Sequence, residues 1–221
     1  MIFGSILKSV IELLDNRTEY PPEKIFNQVT LLQQSIKCKY IIRNVGEYLY
    51  HGTKFALSQL VYEDENKTMI MQDLATRGYD FKAEQFIKVI NGVMLRILEN
   101  ACPQEAVNVL LRLLNFYTSQ QFPSQKTFSL IIKCLSRVST SYSQEISDEN
   151  TAEFFAVASQ YFSANMPRVH LHEFNPSPDE RLKPEDNILK TIKAILNDLV
   201  KHYEADIWVH YESAGKKYGV E

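Results

Sequence analysis

Apolar side chains return along most of this chain at intervals of three and four residues, the period of one side of an α-helix. In KTFSLIIKCLSRVSTSY, residues 126–142, Phe128, Ile131, Ile132, Leu135, Val138 and Tyr142 form such a stripe. Ile2, Ile6, Val10, Leu13 and Leu14 form a second near the start; Ile188, Ile192, Ile195, Leu196 and Leu199 form a third near the end. Proline and glycine fall almost entirely between these stretches, the punctuation of a helical protein, and no convincing strand run remains. The pattern predicts helices at about 2–14, 22–37, 39–50, 53–62, 66–76, 82–100, 103–117, 124–142, 148–163 and 185–212.

Several starts carry a physical signal. Pro103 and Pro184 suit a first turn, where a missing N–H costs nothing, and Glu185 with Asp186 complement the positive end of the helix dipole. Ser124, and Ser147 or Asp148, are N-cap candidates. The proline-rich stretch MPRVHLHEFNPSPDERLKPED, 166–186, has no helical stripe and reads as the one long loop. Second helices beginning near 82 and 124 repeat at about 40 residues, the period of HEAT-type helical pairs, which bury their apolar faces only by stacking. The expected fold is all-α: a HEAT-like or TOG-like stack of antiparallel helical pairs, an α-solenoid of about ten helices, with a helical bundle as the competing architecture. One helical-repeat domain over 1–212 and a C-terminal tail over 213–221 are expected.

Composition narrows the class. A chain of 221 residues buries a core without staples. Cys38, Cys102 and Cys134 are an odd count with no CxxC pair, which points away from a disulfide framework or zinc site and towards a reducing, intracellular compartment. Lys8, Glu12 and Asp15 interrupt the apolar N-terminus before a signal peptide or membrane span would be complete, so the sequons at Asn16 and Asn66 carry no weight. With 24 basic and 27 acidic residues and no run of like charge, protein partners are expected rather than nucleic acid or membrane.

Candidate chemistry is sparse. The glycines never form GxGxxG, and AGKKYG at 214–219 lacks the earlier glycine and the Ser/Thr of a phosphate loop. His170, His172 and Glu173 would offer a metal two imidazoles but no evident third or fourth ligand, and read as a solvated loop pair. Glu63, Asp64 and Glu65 fall in what reads as a polar connector, with nothing apolar to raise a carboxyl pKa. Tyr40, Tyr48 and Tyr50 read as core edges. Cys134 lies one turn from Leu130 and Val138 and is expected to behave as a small hydrophobe rather than a reactive thiol. No nucleophile, base and orienter assemble, and neither a metal nor a cofactor is expected.

The C-terminal end has a different texture. Beyond the 188–199 stripe come Trp208, the only tryptophan, then Tyr211, Lys216, Lys217 and Tyr218, an aromatic and basic surface suited to a partner, unless Trp208 simply caps the last helical pair.

FIKVINGVMLRILENACPQEAVNVLLRLL (86–114), then FSLIIKCLSRV (128–138), then ILKTIKAILNDLVKHY (188–203) follow one another in an order that resembles the C-terminal region of the TOG family of microtubule polymerases. The matching residues are Leu98, Glu99 and Asn100; Phe128, Ser129, Lys133, Cys134 and Leu135, with one residue fewer before the lysine; and Leu189, Lys190 and Thr191. IIRNVGEYLYHGTKFALSQLV (41–61) is similar to the preceding helical pair, so the resemblance covers roughly 40–205. It implies a HEAT-like terminal domain whose tubulin-binding array lies N-terminal to it. Such a domain recruits the polymerase to centrosomes and spindle poles through a transforming acidic coiled-coil (TACC) protein and supports spindle microtubule assembly.

The implied setting is cytoplasmic and cytoskeletal, and the implied role non-enzymatic. The tubulin-binding TOG domains present a tryptophan in their first inter-helix turn, whereas NRTEYPPEK here has Tyr20. A tubulin-binding module using Lys54, Arg77, Lys82 and Lys126 is therefore the alternative, and an enzyme using the 166–186 loop a more distant one.

Overall fold

The computed structural model describes residues 2–16, 19–36, 46–65, 83–119, 125–144, 146–170 and 184–219. They are helical throughout, with no strand among them. The helices are α1 (Ile2–Asp15), α2 (Pro22–Ser35), α3 (Gly46–Glu65), α4 (Ala83–Asn100), α5 (Pro103–Thr118), α6 (Gln125–Ser139), α7 (Asp148–His170), α8 (Pro184–Tyr203) and α9 (Ile207–Tyr218). Only a 3-10 turn, Glu204–Asp206, parts the last two, so the described residues make nine α-helices, or eight rods if α8 and α9 are counted as one bent rod, against the ten expected. The helix expected at 66–76 and the cap at Ser124 lie outside the described residues. The chain divides into two compact units, Met1–Ala101 and Cys102–Glu221.

In the first unit α1 packs on α2, α2 on α4 and α4 on α3. Pro21 and Pro22 start α2, where the fixed φ of proline is already helical and Glu23 meets the dipole. The amide of Asn100 donates to the Ile36 carbonyl at 2.7 Å, satisfying a group left over beyond the end of α2. The break expected between helices at 39–50 and 53–62 is absent, because α3 runs unbroken from Gly46 through His51 and Gly52, while residues 39–45 lie outside the described residues. Glycine costs a helix interior about 1 kcal/mol relative to alanine. Here Leu49, Ala56, Leu57 and Leu60 are buried on both sides of it, and that packing outweighs the local cost. Glu63, Asp64 and Glu65, expected in a connector, are the last turn of the same helix.

In the second unit α5 is the central helix. Ala106, Val107, Val109, Leu110, Leu111, Leu113 and Leu114 are all buried, apolar over most of its circumference, as a helix covered on several sides must be. Both α6 and α7 pack on it; α8 then packs on α6 and α9 on α7, giving rows α5, α7, α9 and α6, α8.

A line of amides sets the register of α5 against α7. Gln104 Oε1 accepts from the Ser147 N–H at 2.7 Å, Asn108 Nδ2 donates to the Asn150 carbonyl at 2.9 Å, and Asn115 Nδ2 donates to the Val157 carbonyl at 3.0 Å. Ser147 caps α7, its Oγ accepting from the Asn150 N–H at 3.4 Å. α7 continues to His170, past the end expected at 163 and into the stretch expected as loop, since proline's fixed φ lets Pro167 sit in a helix at the loss of one N–H bond. The single helix expected over 185–212 is broken at Glu204, whose φ of 49° lies in the left-handed region that a non-glycine residue enters only at a cost. Ser213–Tyr218, expected as tail, complete α9.

Candidate functional site

α9 is positioned by few buried atoms and by a set of polar contacts at the start of α7. Ile207 and Ala214 are its buried residues, and Ala214 packs with Ala152 and Ala156 of α7, small side chains that let the two backbones approach. Tyr211 sets its ring edge-on to Phe155 at 5.7 Å. Tyr203, at the end of α8, donates its hydroxyl to Asp148 Oδ1 at 2.8 Å and lies 4.1 Å, ring to ring, from His210. Burial is the main cause that raises the Tyr203 hydroxyl pKa; the hydrogen bond between it and Thr151 opposes it, and Asp148 adds to it. His210 Nε2 is 3.8 Å from the same Asp148 oxygen. Lys217 Nζ pairs with Glu149 Oε1 at 3.1 Å, which raises its pKa. Gly219, left-handed at φ 67°, closes α9 by returning its N–H to the Gly215 carbonyl at 3.0 Å.

α9 also leaves large apolar side chains in solvent. Trp208 is 68% exposed, Val209 63% and Tyr211 40%, with Trp208 edge-on to Tyr211 at 6.3 Å. Trp208 is thus not the buried cap of the last helical pair. Of the residues singled out in sequence, Trp208, Tyr211, Lys216 and Tyr218 are exposed on α9, while Lys217 is exposed but engaged with Glu149. Val209 was missed: a lone valine in a mixed stretch gives no signal until the bend at Glu204 shows which way the helix turns.

The alternative basic set is described only in part. Lys54, expected in a turn, is half-buried in the middle of α3; Lys126 is exposed in the first turn of α6, in the other unit; Arg77 and Lys82 lie outside the described residues. His170 ends α7, and His172 and Glu173 lie outside the described residues, among which no group of three or more metal-ligating side chains occurs. Cys134 is half-buried, and burial pushes its thiol up to about 11, Arg137 pulling weakly the other way. A thiol held protonated is a poor nucleophile. Cys38, Tyr40 and Arg77 fall among undescribed residues, and Tyr50 lies edge-on to His51 at 5.5 Å. No described helix is long and apolar enough to cross a membrane.

No family model, no curated protein and no solved structure matches the chain.

Proposed function

We propose that this chain is a non-enzymatic interaction domain of a microtubule polymerase: a HEAT-like, TOG-like stack that recruits the polymerase to centrosomes and spindle poles by binding a TACC coiled coil. The observation that carries the interaction role is the exposed Trp208, set edge-on beside Tyr211 on a helix held against α7. A tryptophan left in water on a regular helix is costly surface, and aromatic anchors of this kind dominate protein interfaces. The paired rows of the second unit support the stacked architecture. The order of the segments 86–114, 128–138 and 188–203 supports the polymerase reading.

Calorimetric titration of a TACC coiled coil into the wild-type chain and into Trp208→Ala tests it. Losing an anchor commonly costs about 2 kcal/mol of binding, so affinity should fall at least tenfold while the melting temperature stays within a degree or two. Unchanged affinity would remove α9 as the surface. Enrichment of tubulin without any TACC protein, with this chain as bait in mitotic lysate, would replace recruitment by tubulin binding.

A further inference from the structure

A strained turn separates α8 from α9. No side chain of Glu204–Asp206 is buried, and among the described residues Glu204 is the non-glycine residue at positive φ, 49°. Its neighbours Tyr203, Asp206 and Ile207 already have right-handed helical angles. Returning Glu204 to that region therefore removes the main obstacle to one helix running from Pro184 to Tyr218. The sequence favours that alternative. No proline or glycine lies between Pro184 and Gly215, and Tyr203, Ile207, His210 and Ala214 continue, at steps of three and four, the stripe that reaches Leu199. Ile207 and Ala214 are the buried residues of α9, and the His210 side chain is 13% exposed. One uninterrupted register thus serves two helices with different partners, α8 packing on α6 and α9 on α7.

We infer that α9 exchanges between two copies of this chain: Glu204 relaxes to a helical backbone, α8 and α9 join as one rod, and the α9 of each copy docks on the α7 of the other. The occupant of α7 follows from what already fits there. Ala152, Ala156 and Phe155 receive Ala214 and the ring of Tyr211, while Asp148 and Glu149 meet His210 and Lys217. A second copy brings every one of these groups at the spacing α7 already accepts. In the exchanged pair the same contacts form between chains, and two left-handed residues are relieved, the strain that invites exchange through a short hinge. α9 is suited to leave because it buries just Ile207 and Ala214. Bringing two chains together costs translational freedom, so exchange belongs to high protein concentration. The contact between α7 and α9, and not Trp208 or a TACC protein, joins the copies. The pair carries two Trp208 side chains, so a partner with repeated sites would hold it by avidity.

The test is sedimentation velocity on the full chain, refolded from urea at high and at low protein concentration and without any partner protein. The wild type should give a dimer at high concentration and a monomer at low. Glu204→Gly makes the left-handed turn free and the straight helix unfavourable, so the dimer should weaken at least about tenfold while the monomer's circular dichroism melt is unchanged. Glu204→Ala keeps the strain and should dimerise like the wild type. A second measurement identifies the arrangement. An Ala152→Cys chain and an Ala214→Cys chain, refolded together under oxidising conditions, should form disulfide-linked dimers that neither forms alone, because exchange brings those two positions together across the copies. No wild-type dimer at either concentration, equal dimer in Glu204→Gly, or a mixed pair that links no better than each variant alone would each overturn the inference. Loss of the dimer with Trp208→Ala, with Glu204→Gly still dimeric, would mean that the copies meet through the exposed ring and would overturn it too.

Discussion

The two last helices, α8 and α9, follow one another in the chain yet are attached by different physics. α8 takes Ile188, Ile192, Ile195 and Leu199 completely out of water, each contributing about 1.5–3 kcal/mol of gross burial energy. α9 buries Ile207 and Ala214 and otherwise relies on ring edges and on the approach of His210 and Lys217 to exposed carboxylates of α7. Exposed polar contacts of this kind are screened by solvent and hold a helix only weakly. The first helix is part of the scaffold, whereas the second is mounted on it, and this suits a helix that presents its other side to a partner. The break at Glu204 parts the two helices, which lets each be attached in its own way.

The comparison breaks if α8 proves as dispensable as α9. Ile192→Ala should therefore have the largest effect, about 2–5 kcal/mol by urea unfolding of the chain. A loss below about 1 kcal/mol would mean that the 188–199 stripe does not anchor α8. Ala214→Leu comes next: overpacking against Ala152 and Ala156 should cost about 1–3 kcal/mol. Hydrogen exchange should accelerate in 207–218 and not in 188–200; equal acceleration in both would show that they open as one unit.

The helix under α8 supplies a third test. Cys134→Ala should cost on the order of 1 kcal/mol, as a small cavity does. The same thiol, pushed up to about 11 from an ordinary value of 9.0, also fixes a pH dependence. Between those values the unfolded chain releases the proton and the folded chain keeps it, so stability falls as pH rises through that window. The Cys134→Ala variant should show a shallower alkaline fall, and rapid alkylation of native Cys134 at pH 8 would contradict the assignment. The smallest effect belongs to Tyr203→Phe, which removes the hydroxyl from Asp148 and should cost about 1 kcal/mol or less. Its signature is local, a faster exchange of α9 amides with α8 unchanged.

The helical stripes were legible because burial on one side writes a 3.6-residue period directly into the sequence. α1, α5 and the buried face of α8 were all readable this way, as were the proline starts at Pro103 and Pro184. What misled were the local signals. Gly52 looked like a break, yet neighbouring burial overrode it; Pro167 looked like a loop, yet its φ is helical; Glu204 gave no sign of a break, although its backbone is the one that turns left-handed. Trp208 and Tyr211 could be picked as unusual, but their exposure depends on that unreadable bend.

The amides of Gln104, Asn108 and Asn115 have an effect well beyond their own interface. Aliphatic side chains alone would let α7 slide along α5 by one turn, about 5.4 Å, with only modest loss. With the amides in place, such a slide strands buried donors and acceptors, at about 1–3 kcal/mol for each. Every later helix in that row inherits the position of the one before it, so an error at α5 would be passed on whole to α9. The position of Trp208 is therefore calibrated by three side chains that never touch it.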